Sequence, residues 1–143
     1  MAYSVLDDLK KKIDEAVLVQ LTDTTDSGVI DSAKTDRAIR DADALIDSYT
    51  GKVYKVPMSP APDVITDISA TLAIAGLHKF RSVDSPVWSE ARGKAIEFLG
   101  KVAVGAVTLE GAVIEPVSAD GLSSPQTFTA QERRFSRDLL KGM

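Results

Sequence analysis

Along residues 32–50 the apolar side chains return every three or four positions, so that Ala38, Ile39, Ala42, Leu45, Ile46 and Tyr49 fall on one stripe. That spacing places them on one face of an α-helix. The opposite face carries Asp36, Arg37, Arg40 and Asp41, and i,i+4 spacing pairs Asp36 with Arg40 and Arg37 with Asp41. Asp31 or Ser32 can cap its start, and Gly51 is the expected residue just past its end, because it adopts positive φ without a Cβ clash. A second long helix is predicted from roughly Asp63 to Phe80. Val64, Ile65, Ile68, Leu72, Ala75 and Leu77 cover more than one of its faces, so it is expected to be the central, most buried helix. Pro62 suits its first turn or the position just before it. Ser85 and Pro86 open a third, with Trp88, Ala91, Ala95, Ile96, Leu99 and Val102 as its stripe. Glu90–Lys94 and Glu97–Lys101 lie on its wet side, and Gly105 can end it.

The flanks are less regular. Ser4 followed by Asp7 resembles a capping box, Val5, Leu6, Leu9 and Ile13 make an apolar face, and Asp7–Lys11 and Asp8–Lys12 have ion-pair spacing. Asp14 can cap a short helix running through Val17 and Leu18 to Leu21. LTDTTDSGVID has the composition of a loop, and KVYKVPMSPAP that of an extended, proline-punctuated connection. After Gly105 the helical period is lost. VTL and AVI around Glu110-Gly111 have the spacing of a small hairpin near 107–114. Thr129 and Glu132 then have capping-box spacing before a short amphipathic segment with Phe135, Leu139 and Leu140. The expected fold is all-α: a compact bundle of four to five helices over residues 1–105, followed by an extended C-terminal arm over 106–143.

Composition narrows the function classes. A chain of 143 residues with 44% hydrophobic content can build one real core. Its net charge of −4 disfavours specific DNA or RNA recognition, which calls for a basic surface. The absence of cysteine excludes disulfides and thiolate metal sites. MAYSVLDDLKKK lacks the apolar core of a signal peptide, and the stretch from Ile68 to Leu77 is too short to span a bilayer, so a soluble chain without a membrane partner is expected. Charge is unevenly placed. Residues 129–143 carry four basic and two acidic side chains, a local +2, which leaves −6 on the rest. A basic tip on an acidic body suits docking onto a neighbour, and equally an arm packed on its own subunit.

Candidate chemistry is sparse. Asp23, Thr25, Ser27 and Gly28 match the first half of a calcium loop, but Lys34 stands where the bidentate carboxylate belongs, which favours a capped turn. His78 is the single histidine, and any Ser/His/Asp arrangement would have to use it. Near the C-terminus of its helix an imidazole also interacts well with the dipole, which favours a structural role. Asp36, Asp41, Asp43 and Asp47 could suggest acid/base pairs, but Arg37 and Arg40 neutralise a row better explained as a solvated face. No phosphate-cradling glycine loop and no HExxH occurs. The expectation is a protein that is not an enzyme, with no catalytic residue, no cofactor and no metal. The polar and aromatic cluster of IDSYTGKVYKVP reads as a structural corner built from Asp47, Tyr49, Gly51, Tyr54 and Pro57 rather than a ligand site, with Asp47 and Ser48 pointing outward and the tyrosine rings packed.

At this corner the chain resembles the Mu-like phage head-completion family, the head–tail connector proteins of tailed phages and prophages. Ala42, Ile46, Asp47, Tyr49, Tyr54 and Pro57 match its pattern of a helix ending in Ala-x-x-x-Ile-Asp-x-Tyr followed by a Tyr and a Pro. GKAIEFLGKVAVGAVTL resembles the family's last helix, through Ala95, Ile96, Leu99 and Gly105, and RRFSRDLLKGM resembles its tail ending. Val53 departs from the pattern, standing where an arginine is expected. The resemblance implies a helical adaptor located at the capsid vertex or neck of the virion, and in the host bacterial cytoplasm during assembly. Copies of it would form a ring, of about twelve by the same resemblance, beneath the portal protein. The ring would extend the DNA channel without sequence-specific binding and offer a platform to a tail or stopper protein. Arg133, Arg134, Phe135, Arg137, Leu139 and Leu140 are the expected interface side chains, since arginine and aromatic anchors dominate many interfaces. A small helical regulatory or DNA-associated protein is the alternative, and an enzyme built around His78 a third.

Overall fold

Helix α4 (Asp63–Phe80) is apolar on nearly every side, and the other helices are arranged to cover it. Eleven of its eighteen residues are buried, more than one stripe of an isolated helix could supply. The computed structural model describes residues 2–114, in which α1 (Leu6–Lys12), α2 (Glu15–Thr22), α3 (Ser32–Thr50) and α5 (Pro86–Ala103) all pack against α4. Over the described residues the fold is all-α, a bundle of five helices, as the periodicities require. Leu9, Leu18, Ile46 and Leu99, one from each surrounding helix, are fully buried with Ile65 and Ile74 of α4. Each such side chain contributes about 1.5–3 kcal/mol by leaving water. Ser69, Ala70 and Ala73 keep the α4 surface low, which lets the neighbouring helices approach.

The capping of the longer helices follows local chemistry. Asp31 caps α3 by accepting from the N–H groups of Ala33 and Lys34 at 3.0 and 3.4 Å. Pro86 occupies the first turn of α5. At its end Gly105 takes φ +79°, while Ala106 and Gly105 donate to the carbonyls of Lys101 and Val102. This is the left-handed termination that satisfies the last carbonyls of a helix. Helix α4 ends in the same way, with Val83 and Ser82 donating to His78 and Lys79, but the left-handed position holds Ser82 at φ +55°. Glu90–Lys94 and Glu97–Lys101 pair at 2.8 and 3.0 Å, as their spacing predicts.

Several local expectations give way to longer-range partners. Helix α1 is capped at Val5, whose N–H donates to Asp8 at 2.9 Å, rather than by a Ser4–Asp7 box. Asp14 stands at the cap position of α2 without a side-chain cap bond. Asp8 pairs with Lys11, and Lys12 reaches across to Asp67 on α4, in place of the Asp7–Lys11 and Asp8–Lys12 pairs. On α3, Arg37 pairs with Asp41 at 3.2 Å, whereas Asp36 and Arg40 form no ion pair among the described residues. Gly51 sits at φ −63°, not in the left-handed region. Its missing side chain matters for space, because a Cβ there would lie 2.7 Å from the Asp47 carbonyl oxygen and 3.3 Å from Val56. The VTL and AVI segments do not pair with each other. Instead Ile114 forms an antiparallel bridge with Tyr54, and Lys55 donates to the carbonyl of Val113 at 2.7 Å. Leu109 is buried, so the first residues of the expected arm belong to the body.

The largest departure concerns the acidic row. Asp43 and Asp47 are not a solvated face, because the N-terminal segment lies along them. The N–H of Tyr3 donates to Asp43 at 3.0 Å, and the Tyr3 hydroxyl donates to Asp47. That same hydroxyl accepts from the N–H of Met58 at 3.0 Å. Ser69 of α4 donates to the other oxygen of Asp43 at 2.6 Å, and Ser4 and Ser69 share a buried hydrogen bond at 2.7 Å. One chain of polar contacts therefore fastens residues 3 and 4 to α3, to α4 and to the connection between them. Burial, followed by the bond to Asp47, pushes the Tyr3 phenol well above its ordinary value of 10.

The pH dependence of Tyr3 has a definite sign. Its folded-state pKa lies above the unfolded one, so its contribution is complete below pH 10 and declines as pH rises beyond it. Unfolding titrations are expected to show an alkaline loss of stability above about pH 10. Tyr3→Phe should flatten that loss and cost about 1–3 kcal/mol at neutral pH, as it leaves Asp47 and the Met58 N–H short of a partner. Ser82→Gly is expected to stabilise the fold by roughly 0.5–1 kcal/mol, since relief of left-handed strain exceeds the added chain entropy. Gly51→Ala should destabilise it by about 1–3 kcal/mol through the contact with the Asp47 carbonyl. Chemical denaturation of each variant measures these shifts.

Candidate functional site

The corner residues divide between two jobs. Asp47 holds Tyr3, and Tyr54, buried at the bridge with Ile114, accepts from the N–H of Leu109 at 2.8 Å through its hydroxyl. Tyr49 packs half-buried against the core, Pro57 is exposed after a cis peptide bond, and Gly51 makes the close approach described above. Val53 is half-buried against the core. The two buried tyrosine hydroxyls, each with a backbone donor, bind the corner to the segments before α1 and after α5.

The loop between α2 and α3 uses its carboxylate on itself. Asp23 accepts from the N–H groups of Gly28, Ser27 and Thr25 at 2.7, 3.1 and 3.2 Å. Those donors, Gly28 first, hold its carboxyl down at about 2. Lys34 directs its ammonium to the Thr22 carbonyl at 3.0 Å, to the Thr24 hydroxyl and to Asp31 at 3.2 Å. Among the described residues no group of three or more His, Asp or Glu side chains has the geometry to hold a metal ion.

His78 lies near the end of α4 and is largely buried. Its Nδ1 donates to the carbonyl of Ile74 at 2.9 Å, which assigns the proton to that nitrogen. The ring stacks on Trp88 of α5, with centroids 6.2 Å apart and planes at 23°. The shallow cleft beside it, about 330 Å³, contains Ser85, Ser89, Lys79 and Arg92 and, among the described residues, a single acid, Asp84. Among the described residues two acids do not converge there, and no carboxylate hydrogen-bonds the imidazole.

A groove of about 360 Å³ lies where α3, α4 and α5 meet. Ala38, Ala42, Leu45, Leu72 and Leu77 form its floor, and Gly76 keeps it open, since nothing lies within 4 Å of where a Cβ would be. Among the described residues four cations surround it. Lys34 lies 5.9 Å from the ring centre of Phe80, a cation–π contact, and Arg37 is engaged with Asp41. Lys79 and Arg92 are exposed and have no ion-pair partner among the described residues. Phe80 is 58% exposed at the groove's end. This site escapes sequence inspection because Lys34, Lys79 and Arg92 belong to three helices, and only their packing brings the charges round one apolar floor. The expected interface residues Arg133, Arg134, Phe135, Arg137, Leu139 and Leu140 lie outside the described residues.

Comparison with known proteins places this geometry in a lineage. Residues 3–124 match the family model described as Bacteriophage Mu, Gp36. The Mu-like prophage FluMu protein gp36 of Haemophilus influenzae is 33% identical over 107 residues, which cover 75% of this chain and 74% of that protein. The matched span includes Tyr3, all five helices, the corner and the groove. The chain belongs to the Mu Gp36 family of phage and prophage proteins.

Proposed function

We propose that the protein is a structural component of the virion: a head–tail connector that assembles as a ring beneath the portal, extends the DNA channel and receives the tail or a stopper. The match over residues 3–124 to a phage protein family carries this reading. The geometry supports it. The polar side chains that stand out in the sequence are spent on internal fastening: Asp43, Asp47, Tyr3 and Tyr54 hold segments together, Asp23 organises its own loop, and His78 is stacked and bonded. No helix of the described residues is long and apolar enough to cross a membrane. The −6 charge outside residues 129–143 suits a subunit that passes DNA without retaining it, because like charge opposes sticking.

In this reading catalysis has no part, and assembly depends on the basic tail. Arg133, Arg134, Phe135, Arg137, Leu139 and Leu140 bring the arginine and aromatic anchors that dominate interfaces, against the portal or an adjacent copy. Removal of residues 129–143 is expected to leave the melting transition of the body intact and to abolish incorporation into capsids. Particles that mature and accept tails with the truncated protein would rule out the tail as the assembly element. The competing reading, a small helical DNA-associated regulator, requires a salt-dependent mobility shift with duplex DNA that this acidic chain is not expected to give.

A further inference from the structure

We infer that the cleft between the end of α4 and the start of α5 is a binding site for inorganic phosphate, taken up as an ion that still carries a proton. The observation that points there is His78. The residue is only 8% exposed, and its Nδ1 is turned back onto the Ile74 carbonyl. The other ring nitrogen, Nε2, has no hydrogen-bond partner among the described residues, yet no fully buried side-chain nitrogen among them is left unpaired. Nε2 therefore opens to solvent, and the cleft that His78 lines is where it does so. With the proton on Nδ1, Nε2 offers a lone pair. A nearly buried acceptor aimed into a cleft calls for a ligand that donates a hydrogen bond to it.

The rest of the cleft calls for an anion. Lys79 and Arg92 line it, both exposed and neither in an ion pair among the described residues. Against the one acid described there, Asp84, the two cations leave a net charge of +1. Ser85 stands at the cap position of α5 but makes no side-chain cap bond. The first turn of that helix therefore presents N–H groups free of a side-chain cap, at the positive end of the dipole. The hydroxyls of Ser85 and Ser89 line the same cleft and can donate or accept. Oxygens of a phosphate accept from the guanidinium, the ammonium and the helix terminus, while its P–OH donates to Nε2. Sulfate, a carboxylate and a phosphodiester carry no such proton at neutral pH and would set a lone pair against the Nε2 lone pair. This inference needs neither the ring nor the tail and stands independently of the connector reading.

The chain has one histidine and one tryptophan, His78 and Trp88, and their rings stack beside this cleft, so each reports on it without ambiguity. Titration of the full-length protein with sodium phosphate at neutral pH is expected to shift the His78 ring signals in NMR spectra and the Trp88 fluorescence along one saturating curve in the millimolar range. Sodium sulfate at matched ionic strength should bind at least roughly tenfold more weakly. Lys79→Gln and Arg92→Gln, both at exposed positions, should each weaken phosphate binding by roughly tenfold, whereas Lys94→Gln, outside the cleft on the same helix as Arg92, should leave it unchanged. His78→Phe keeps an aromatic ring against Trp88 and should bring phosphate down to the affinity of sulfate. Because the sulfate comparison uses the unaltered chain, the outcome does not hang on whether His78→Phe folds. The absence of a saturating shift in the parent chain overturns the inference. So do equal affinities for phosphate and sulfate, which would leave an adventitious ion only, and phosphate binding undiminished in Lys79→Gln and Arg92→Gln.

Discussion

The need to cover α4 governs the rest of the molecule. A helix with Ile65, Ile68, Leu72, Ile74 and Leu77 directed to more than one side cannot be solvated on any broad face. Four helices must surround it, and the chain meets that demand with two long ones, α3 and α5, and two short ones, α1 and α2. The short helices have too few turns to be stable alone. They persist because Leu9, Leu18 and Leu21 are buried in the shared core.

Polar groups enter this core in a satisfied form. Thr22, Thr35, Thr50 and Thr71 each return a hydroxyl to the carbonyl four residues earlier, which places a polar side chain inside without an orphaned donor. Ser69 is the exception that organises long-range structure, because its hydroxyl faces Asp43 and Ser4 rather than its own helix. Among the described residues no buried side-chain nitrogen or oxygen is left without a partner. The N-terminal residues are thus fastened through directional bonds, while the helices are held by area.

The long helices were legible because their period is carried by many residues at once. The stripes of α3 and α5, the near-continuous apolarity of α4 and the glycine stop at Gly105 depend only on neighbours a turn or two away. What could not be read depends on partners far along the chain. Asp43 and Asp47 sit among charged residues and look solvated until Tyr3, forty and more positions earlier, is laid across them. Gly51 looks like a conformational requirement, whereas the reason it tolerates no side chain is the proximity of Asp47 and Val56. The AVI segment has hairpin spacing, yet its strand partner is Tyr54–Lys55, because burying Leu109 brings it to the corner instead. The groove is illegible for the same reason: Lys34, Lys79 and Arg92 are unremarkable until three helices converge.

The corner from Tyr54 to Met58 receives both ends of the described chain. Met58 takes the hydroxyl of Tyr3, and Tyr54 takes Leu109 and Ile114. Mechanically, this makes a five-residue stretch the common anchorage of the first and last segments. A pull applied beyond Ile114 meets the bridge and the Tyr54 hydroxyl before any helix, and passes through Met58 to the strap that lies across α3. The segment before α1 and the segment after α5 thus share one attachment at the corner, beside the further bonds of Tyr3 and Ser4 to α3 and α4.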